Sequence, residues 1–442
     1  MKLISGFQQE LYDQWKDSFS GSDMRFHVLG VGAIGSLLSH HLRRSLPAEH
    51  SVTLIHKTVR HARDAQNRGG IRVESGGISE LSGRFKAEIF EGGVAPRLSS
   101  RKETQEQTET SQTGTGLHVN HGDMHGNPIE SLFVTAKAHQ TVPAIRLLSP
   151  RLSANSTIVL MQNGMGVYEE LLQEIFRNPL SRPHFILASN THGVYPKGPF
   201  DVVHAGMGEI RFGIARDVEE RRNYEAGFFD ESVSRSDRRP RLTDITTSEA
   251  DPFFTRYKSL RNTVAALLLM DALQTSWIPM EEMQIAMRRK LVVNSVINPL
   301  TSVMGCKNGE IFSTPAGIEI MRSVCREAAK VFAAETRAAS QSYFDSIGAS
   351  EVDQEQITLD RVPRALSAES LQEECLRVAE ATKHNMSSTL ADIRKGVSRT
   401  EINYLNGHLV RLGRTYKVPT PTITTLWRLV YMRSAIPLDQ GF

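Results

Sequence analysis

The run Gly30-Val-Gly32-Ala33-Ile34-Gly35 follows a short apolar stretch directly, and a basic cluster, Lys57 and Arg60, lies downstream with no acid beside it. Glycines at this spacing allow a tight turn, close approach of backbone to a pyrophosphate, and close helix–strand packing. A helix opening at Ala33 turns the first N–H groups, those of Ala33, Ile34 and Gly35, and its positive dipole end towards the phosphates. The chemistry implied is dinucleotide binding. An NAD-selective site places an acid at the end of the second strand, about 20 residues beyond the glycines, for the ribose 2′-hydroxyl. This chain reads Leu54-Ile-His56-Lys57-Thr-Val-Arg60 there. Lys57, helped by Arg60 or His56, suits a 2′-phosphate, so NADPH/NADP+ is the expected cofactor.

Three further sets of polar residues are candidates for work on a small molecule. Lys137 ends one apolar run and Gln162-Asn163-Gly164 ends another. Ligands of a doubly wound sheet bind outside the carboxyl ends of its strands, where cofactor and substrate meet; ordinary turn residues occupy such places too. In 287–299, Lys290, Asn294 and Asn298 fall on one helical face. Leu291, Val292, Val293, Val296 and Ile297 cover much of the remaining circumference, the pattern of a buried helix. A lysine and two amides on such a helix need partners or a task; a snorkelling lysine with two structural asparagines is the plainer account. Last, Ser387-Ser388-Thr389-Leu-Ala-Asp392 precedes Arg399-Thr-Glu401, where helix capping and charge pairing compete with a functional role.

The elements that must position these residues fall into two groups. Apolar, β-rich runs at 25–29, 51–55, 132–135, 157–161, 185–188 and 209–213 alternate with helical patterns, which predicts βαβ units and a largely parallel sheet. A helix is expected over 33–46. After about residue 260 the pattern is helical. The expected fold is α/β: an N-terminal Rossmann-type doubly wound sheet followed by an all-helical C-terminal domain. The divisions are an extension at 1–23, an NADP-binding domain at 24–280, and a helical substrate domain at 281–435. Polar insertions near 92–127 and 216–251 read as surface loops, and the polar stretch 343–370 reads as a break in the helical half.

Composition narrows the function classes. With 442 residues, 40% hydrophobic and 23% charged, the chain is long enough for two or three domains with more than one core. Lys+Arg total 52 against 49 Asp+Glu, a net of +3, which makes no case for nucleic acid or an anionic membrane. Cys306, Cys325 and Cys375 are far apart and suit neither a disulfide framework nor a zinc site. His118, His121 and His125 read as members of a solvated loop, so no metal is expected. The run 264–270 is too short to cross a membrane and reads as buried helix. Residues 1–23 carry Glu10, Asp13, Asp17 and Asp23 and lack the marks of secretory or mitochondrial leaders. A cytoplasmic location is expected, with the mitochondrial matrix as the alternative.

Taken in order, these motifs resemble the ketopantoate reductase (2-dehydropantoate 2-reductase) family. The matching pieces are the glycine run, Val134-Thr-Ala-Lys137, Gln162-Asn163-Gly-Met-Gly166 and Lys290-Leu-Val-Val-Asn294-Ser-Val-Ile-Asn298-Pro-Leu-Thr301. Asn308-Gly-Glu310 and Ser388-Thr-Leu-Ala-Asp392 with Thr400-Glu401-Ile-Asn-Tyr-Leu-Asn-Gly407 complete the set. The resemblance implies NADPH-dependent reduction of ketopantoate to pantoate, on the way to pantothenate and coenzyme A, in a cleft between the two domains. It assigns Lys290 as general acid, and Glu401 to the substrate hydroxyl or to holding that lysine. Asn163, Asn294, Asn298 and Ser388 would orient the substrate, while Lys137 would contact cofactor or substrate. The segment from Asp392 to Glu401 is one residue longer than the family pattern, an excess that either displaces Glu401 or is absorbed at Lys395-Gly396-Val397. A reductase of another 2-oxo acid and a non-catalytic NADP-binding regulator are the competing functions. The expected partner is a small 2-oxo acid, and a homodimer is an open option.

Overall fold

The computed structural model describes residues 24–89, 127–347 (without 218, 220 and 248) and 362–436. Strand β1 (Arg25–Leu29) leads into α1 (Ala33–Ser45) and β2 (Ser51–His56) into α2 (Val59–Asn67), followed by β3 (Ile71–Ser75), β4 (Ile78–Ser82) and β5 (Phe85–Ile89). Then come β6 (Ser131–Val134), α3 (Ala138–Leu148), β7 (Thr157–Leu160), α4 (Val167–Glu174), β8 (His184–Asn190), β9 (Gly193–Gly198), β10 (Asp201–Gly206) and β11 (Ile210–Ile214). After α5 (Phe254–Leu268) and β12 (Thr275–Trp277) the chain is helical: α6 (Met280–Met304), α7 (Pro315–Ile347), α8 (Ala368–Ala381), α9 (Ser388–Arg394), α10 (Asn406–Thr415) and α11 (Pro421–Ala435). Contacts divide the chain into two units. The first takes the described residues up to 136 with 140–161 and 173–279; the second takes 137–139, 162–172 and the described residues from 280 onward.

The first unit is the α/β one. Its main sheet has the order β12-β11-β8-β7-β6-β1-β2-β5, parallel throughout except where β8 meets β11. Every residue of β6 and β7 is buried, as expected of parallel strands covered on both faces. Helix α1 packs on β1 and β2, and also on β3, β9 and β10 of a second sheet of order β4-β3-β10-β9. That smaller sheet was not foreseen. Its strands are rich in Ser, Glu and Gly, and β4 is exposed at four of five positions, so its apolar signal is thin.

The segment 216–251 is largely exposed, as the surface-loop reading expects, but it is anchored to the first unit at several buried positions. Tyr224, Leu242 and Ile245 are buried in the core of the first unit. Arg222 donates to both carboxylate oxygens of Asp251 at 2.6 Å, and its guanidinium lies 5.3 Å from the Tyr257 ring centre. Some of the charges that suggested solvent are paired, Arg222 with Asp251 and Arg241 with Asp230, and single apolar residues between them anchor the segment. The other insertion, with its three histidines, lies outside the described residues, as do residues 1–23.

The second unit is helical and built around α6, which contacts α7, α8, α9 and α11. Residues 291–293 and 295–302 are buried, which a helix surrounded by others requires. Pro299 sits inside it. Proline has no N–H, so the Ser295 carbonyl four residues back loses its helical partner; the Asn406 side-chain amide, at the start of α10, donates to it at 3.0 Å. The stretch 343–370 is helical at both described ends: α7 continues to Ile347, and Ser367 caps α8 by accepting from Ser370 N.

Candidate active site

In the first unit the glycines hold one turn between β1 and α1. Gly30 has φ +98°, and a Cβ there would lie 2.3 Å from the Ala136 nitrogen. A Cβ on Gly35 would lie 2.2 Å from the Gly30 carbonyl oxygen. Thr135 ties the same turn to the end of β6, its hydroxyl donating to the Gly30 carbonyl at 2.7 Å. Gly32 differs: it is exposed, and a Cβ on it would meet nothing within 4 Å. It is the N-cap of α1, without a side-chain cap and with no acid in the first turn. The first N–H groups of a helix have no partner within it, and here open space lies over them. These residues fit a dinucleotide pyrophosphate.

At the end of β2, Lys57 and Arg60 are exposed. Thr58 caps α2, accepting from His61 N at 3.2 Å, and again the first turn holds no acid. His56 does not serve as the helper cation that the sequence allowed. It is buried, its ring lies 5.6 Å from that of Phe200, and burial pushes its imidazole down to about 4.

The second unit gathers most of the polar constellation. The Glu401 carboxylate, at the start of a 3-10 turn (Glu401–Tyr404), is 9% exposed. It accepts from the Ala138 N–H at 3.1 Å and from the Asn163 side chain. Burial raises its pKa, opposed by the Ala138 N–H and by the Lys137 charge. Lys137 itself is ion-paired with Asp392. Lys290, partly buried on α6, has its ammonium pushed down to about 8 by burial, against the pull of Glu401. Two turns further along α6, the Asn298 amide reaches the Ser388 hydroxyl at 3.5 Å. Asn294 lies between them, one turn from each.

Backbone details outside the expected residues hold this cluster together. Gly164 has φ +87°, and a Cβ on it would lie 2.3 Å from the Tyr404 carbonyl oxygen. That oxygen accepts from Met165 N at 2.9 Å, and the Tyr404 hydroxyl donates to Glu170 at 2.9 Å. The loop carrying Asn163 is thus clamped on the turn carrying Glu401. Ser387 caps α9 and shares a 2.7 Å hydrogen bond with Thr301 of α6, which fixes Ser388 beside Asn298. A turn follows Asp392: Gly396 has φ +72°, and Val397 N donates back to Asp392 O at 3.0 Å. Sequence reasoning quoted Asp392 without giving it a role and missed Tyr404; a glycine pair flanking Met165 was the available signal for a left-handed clamp.

The arrangement can bind a dinucleotide by its backbone and, in the second unit, present a cationic acid beside a buried carboxylate and several amides. Comparison with known proteins agrees. Residues 26–217 match the family model described as ketopantoate reductase PanE/ApbA, and residues 282–434 match its C-terminal model. A probable 2-dehydropantoate 2-reductase of Schizosaccharomyces pombe is 25% identical over 389 residues, covering 88% of this chain and 90% of that protein. The 2-dehydropantoate 2-reductase of Shigella flexneri is 29% identical over 299 residues, covering 68% and 72%. Among solved structures, a D-mandelate dehydrogenase with NADH and anilino(oxo)acetate aligns over 93% of this chain and 98% of its own, with a TM-score of 0.60 at 16% identity, a likeness of fold. With both halves matched in order by its models, the chain belongs to the ketopantoate reductase family.

Proposed function

We propose that the chain reduces 2-dehydropantoate to pantoate with NADPH. The observation that carries this reading is the joint placement of Lys290, Glu401 and Asn163 in one partly buried polar cluster. When bound, the dinucleotide supplies a hydride to the ketone carbon. Negative charge then builds on the carbonyl oxygen, and the Lys290 ammonium stabilises that charge and delivers the proton. With its pKa pushed down to about 8, Lys290 is still largely protonated at neutral pH and is a stronger acid than an ordinary lysine. Glu401 keeps that lysine charged, and its own carboxylate is oriented by Ala138 and Asn163. Asn294 and Asn298 on one face of α6, with Ser388 of α9 beside Asn298, orient the carboxylate and hydroxyl of the substrate.

The glycine loop (Gly30, Gly32 and Gly35, with the N–H groups of Ala33 and Ile34) holds the pyrophosphate, and Lys57 takes the 2′-phosphate. Lys137, paired with Asp392, contributes positive charge near the reacting groups. Three free thiols, among them Cys325 and Cys375 with sulfurs 3.9 Å apart, suit a reducing cytoplasm. The decisive assay follows NADPH oxidation by the purified chain with ketopantoate, with NADH and with Lys57→Glu in parallel. Rapid turnover that prefers NADPH, with the preference lost in Lys57→Glu, is expected. Tight NADPH binding with no turnover of ketopantoate would overturn the substrate assignment, and an unchanged preference in Lys57→Glu would overturn the role of that lysine.

A further inference from the structure

The second unit also contains a cavity of about 560 Å³ that is lined by none of the residues given a catalytic or binding role above. Its volume is in the range of small-ligand pockets. Its walls are partly aromatic and partly cationic, with Trp427, Tyr431 and Tyr404 on one hand and Arg399 and Arg411 on the other, and His139 completes the lining. The aromatic wall is fixed. Trp427 and Tyr431 meet edge to face at 5.7 Å, and the Asn403 amide joins them, accepting from the indole N–H at 2.9 Å and donating to the Tyr431 hydroxyl. Arg411 is held from behind, donating to the Asn403 carbonyl at 3.1 Å. The acid in the lining, Glu170, already accepts from the Tyr404 hydroxyl. Two guanidinium groups therefore face one engaged carboxylate, and the wall has a surplus of positive charge beside preorganised rings.

We propose that this cavity binds a small aryl anion, a flat ring bearing a carboxylate or phosphate, and that its occupancy is felt at Glu401. Edge-to-face aromatic walls accept a third ring, and guanidinium forks match either anionic head group. The link to Glu401 is covalent and short. Thr400 and Ile402, both in the cavity wall, flank Glu401. His139, also in the wall, follows Ala138, whose N–H holds the Glu401 carboxylate. Both ends of that hydrogen bond are one residue from the cavity. The regulatory half of the proposal rests on the reductase reading; the binding half does not.

The test is calorimetric titration of the full chain with phenyl phosphate, 1-naphthoate and inorganic phosphate, repeated on Arg399→Ala, Arg411→Ala and Lys57→Glu. Saturable binding of an aryl anion is expected, weaker by about tenfold or more in each arginine variant, as for loss of a hydrogen bond to a charged group. Inorganic phosphate should bind far more weakly, and whichever aryl compound binds identifies the head group. No saturation by either in the millimolar range, or binding that is lost in Lys57→Glu and kept in both arginine variants, overturns the site. In the turnover assay, saturating aryl anion should change kcat by about fivefold or more in the wild-type chain, a typical coupling between sites, and not in Arg399→Ala. An effect confined to KM marks competition at the active site and overturns the link to Glu401. Should ketopantoate not be turned over at all, the calorimetry still reads the cavity.

Discussion

In the first unit, the groups offered to a ligand are backbone N–H groups at the start of α1, reachable because Gly32 puts no side chain over them. In the second, on the function proposed above, they are side chains, Lys290, Glu401, Asn163 and Ser388, whose properties depend on what surrounds them. The backbone site is insensitive to neighbouring identity so long as the turn keeps its shape. The side-chain site is the reverse: Lys290 differs from an ordinary lysine because of burial, a shift that the charge of Glu401 limits. Changes in the first unit should therefore alter affinity through shape, and changes in the second should alter rate and its pH dependence.

The strongest way to break this comparison is Lys290→Ala. Loss of a general acid costs about 10²–10⁴ in rate, and we expect that loss in kcat with NADPH affinity intact. Steady-state kinetics beside a cofactor titration would check it, and near wild-type turnover would remove Lys290 from the reaction. Next come two glycines two positions apart. Gly30→Ala forces a left-handed alanine, costing about 1–2 kcal/mol, as well as a clash with Ala136, so both melting temperature and NADPH affinity should fall. Gly32→Ala should leave melting unchanged and weaken NADPH by about tenfold, since its Cβ fills only the space the phosphates need. Unchanged NADPH affinity in Gly32→Ala would show that the openness at Gly32 has no bearing on cofactor binding.

A smaller effect sharpens the electrostatic half. Turnover should decline as pH rises through about 8, where Lys290 loses its proton. Glu401→Gln removes the charge that holds this pKa up, so the alkaline limb should move to lower pH; a limb that stays or moves higher would mean that Glu401 does not act on Lys290. Smallest near neutrality is an acid effect concentrated in the first unit, with His408 of the second unit, lowered by burial to about 3, sharing it. Burial lowers His41 and His184 to about 3 and His56 to about 4, and also lowers His40, His192 and His204. The unfolded chain takes up protons near 6.5 that the folded chain refuses, so stability is complete above that pH and is lost as pH falls below it. Hydrogen exchange followed from pH 7 downward, over about two units, should show the first unit losing protection before the second.

What was legible in the sequence divides along the same line. The glycine spacing, the strand before it and the helix from Ala33 are local, and the structure places them as read. The Lys290-Asn294-Asn298 face was legible because a helix keeps its period. The small second sheet was hidden because half-buried strands rich in Ser and Glu look like loop. The packing of 216–251 was hidden too, since Arg222 is a surface residue until Asp251 and Tyr257 are placed beside it. The clamp of Gly164 on Tyr404 joins residues 240 positions apart in the chain, and no local pattern carries such information.

Pro299 has a consequence for assembly. The helix that carries Lys290 cannot complete its own hydrogen bonding, because the Ser295 carbonyl is finished by Asn406, 111 residues later. Contacts of such separation form late, after the loop-closure entropy has been met. Asn406 follows Glu401 by five positions, so the event that completes the lysine helix also delivers its counter-charge. The acid and the carboxylate that tunes it thus depend on one short stretch of chain, and a chain that stops short of residue 401 has neither a finished α6 nor a tuned lysine.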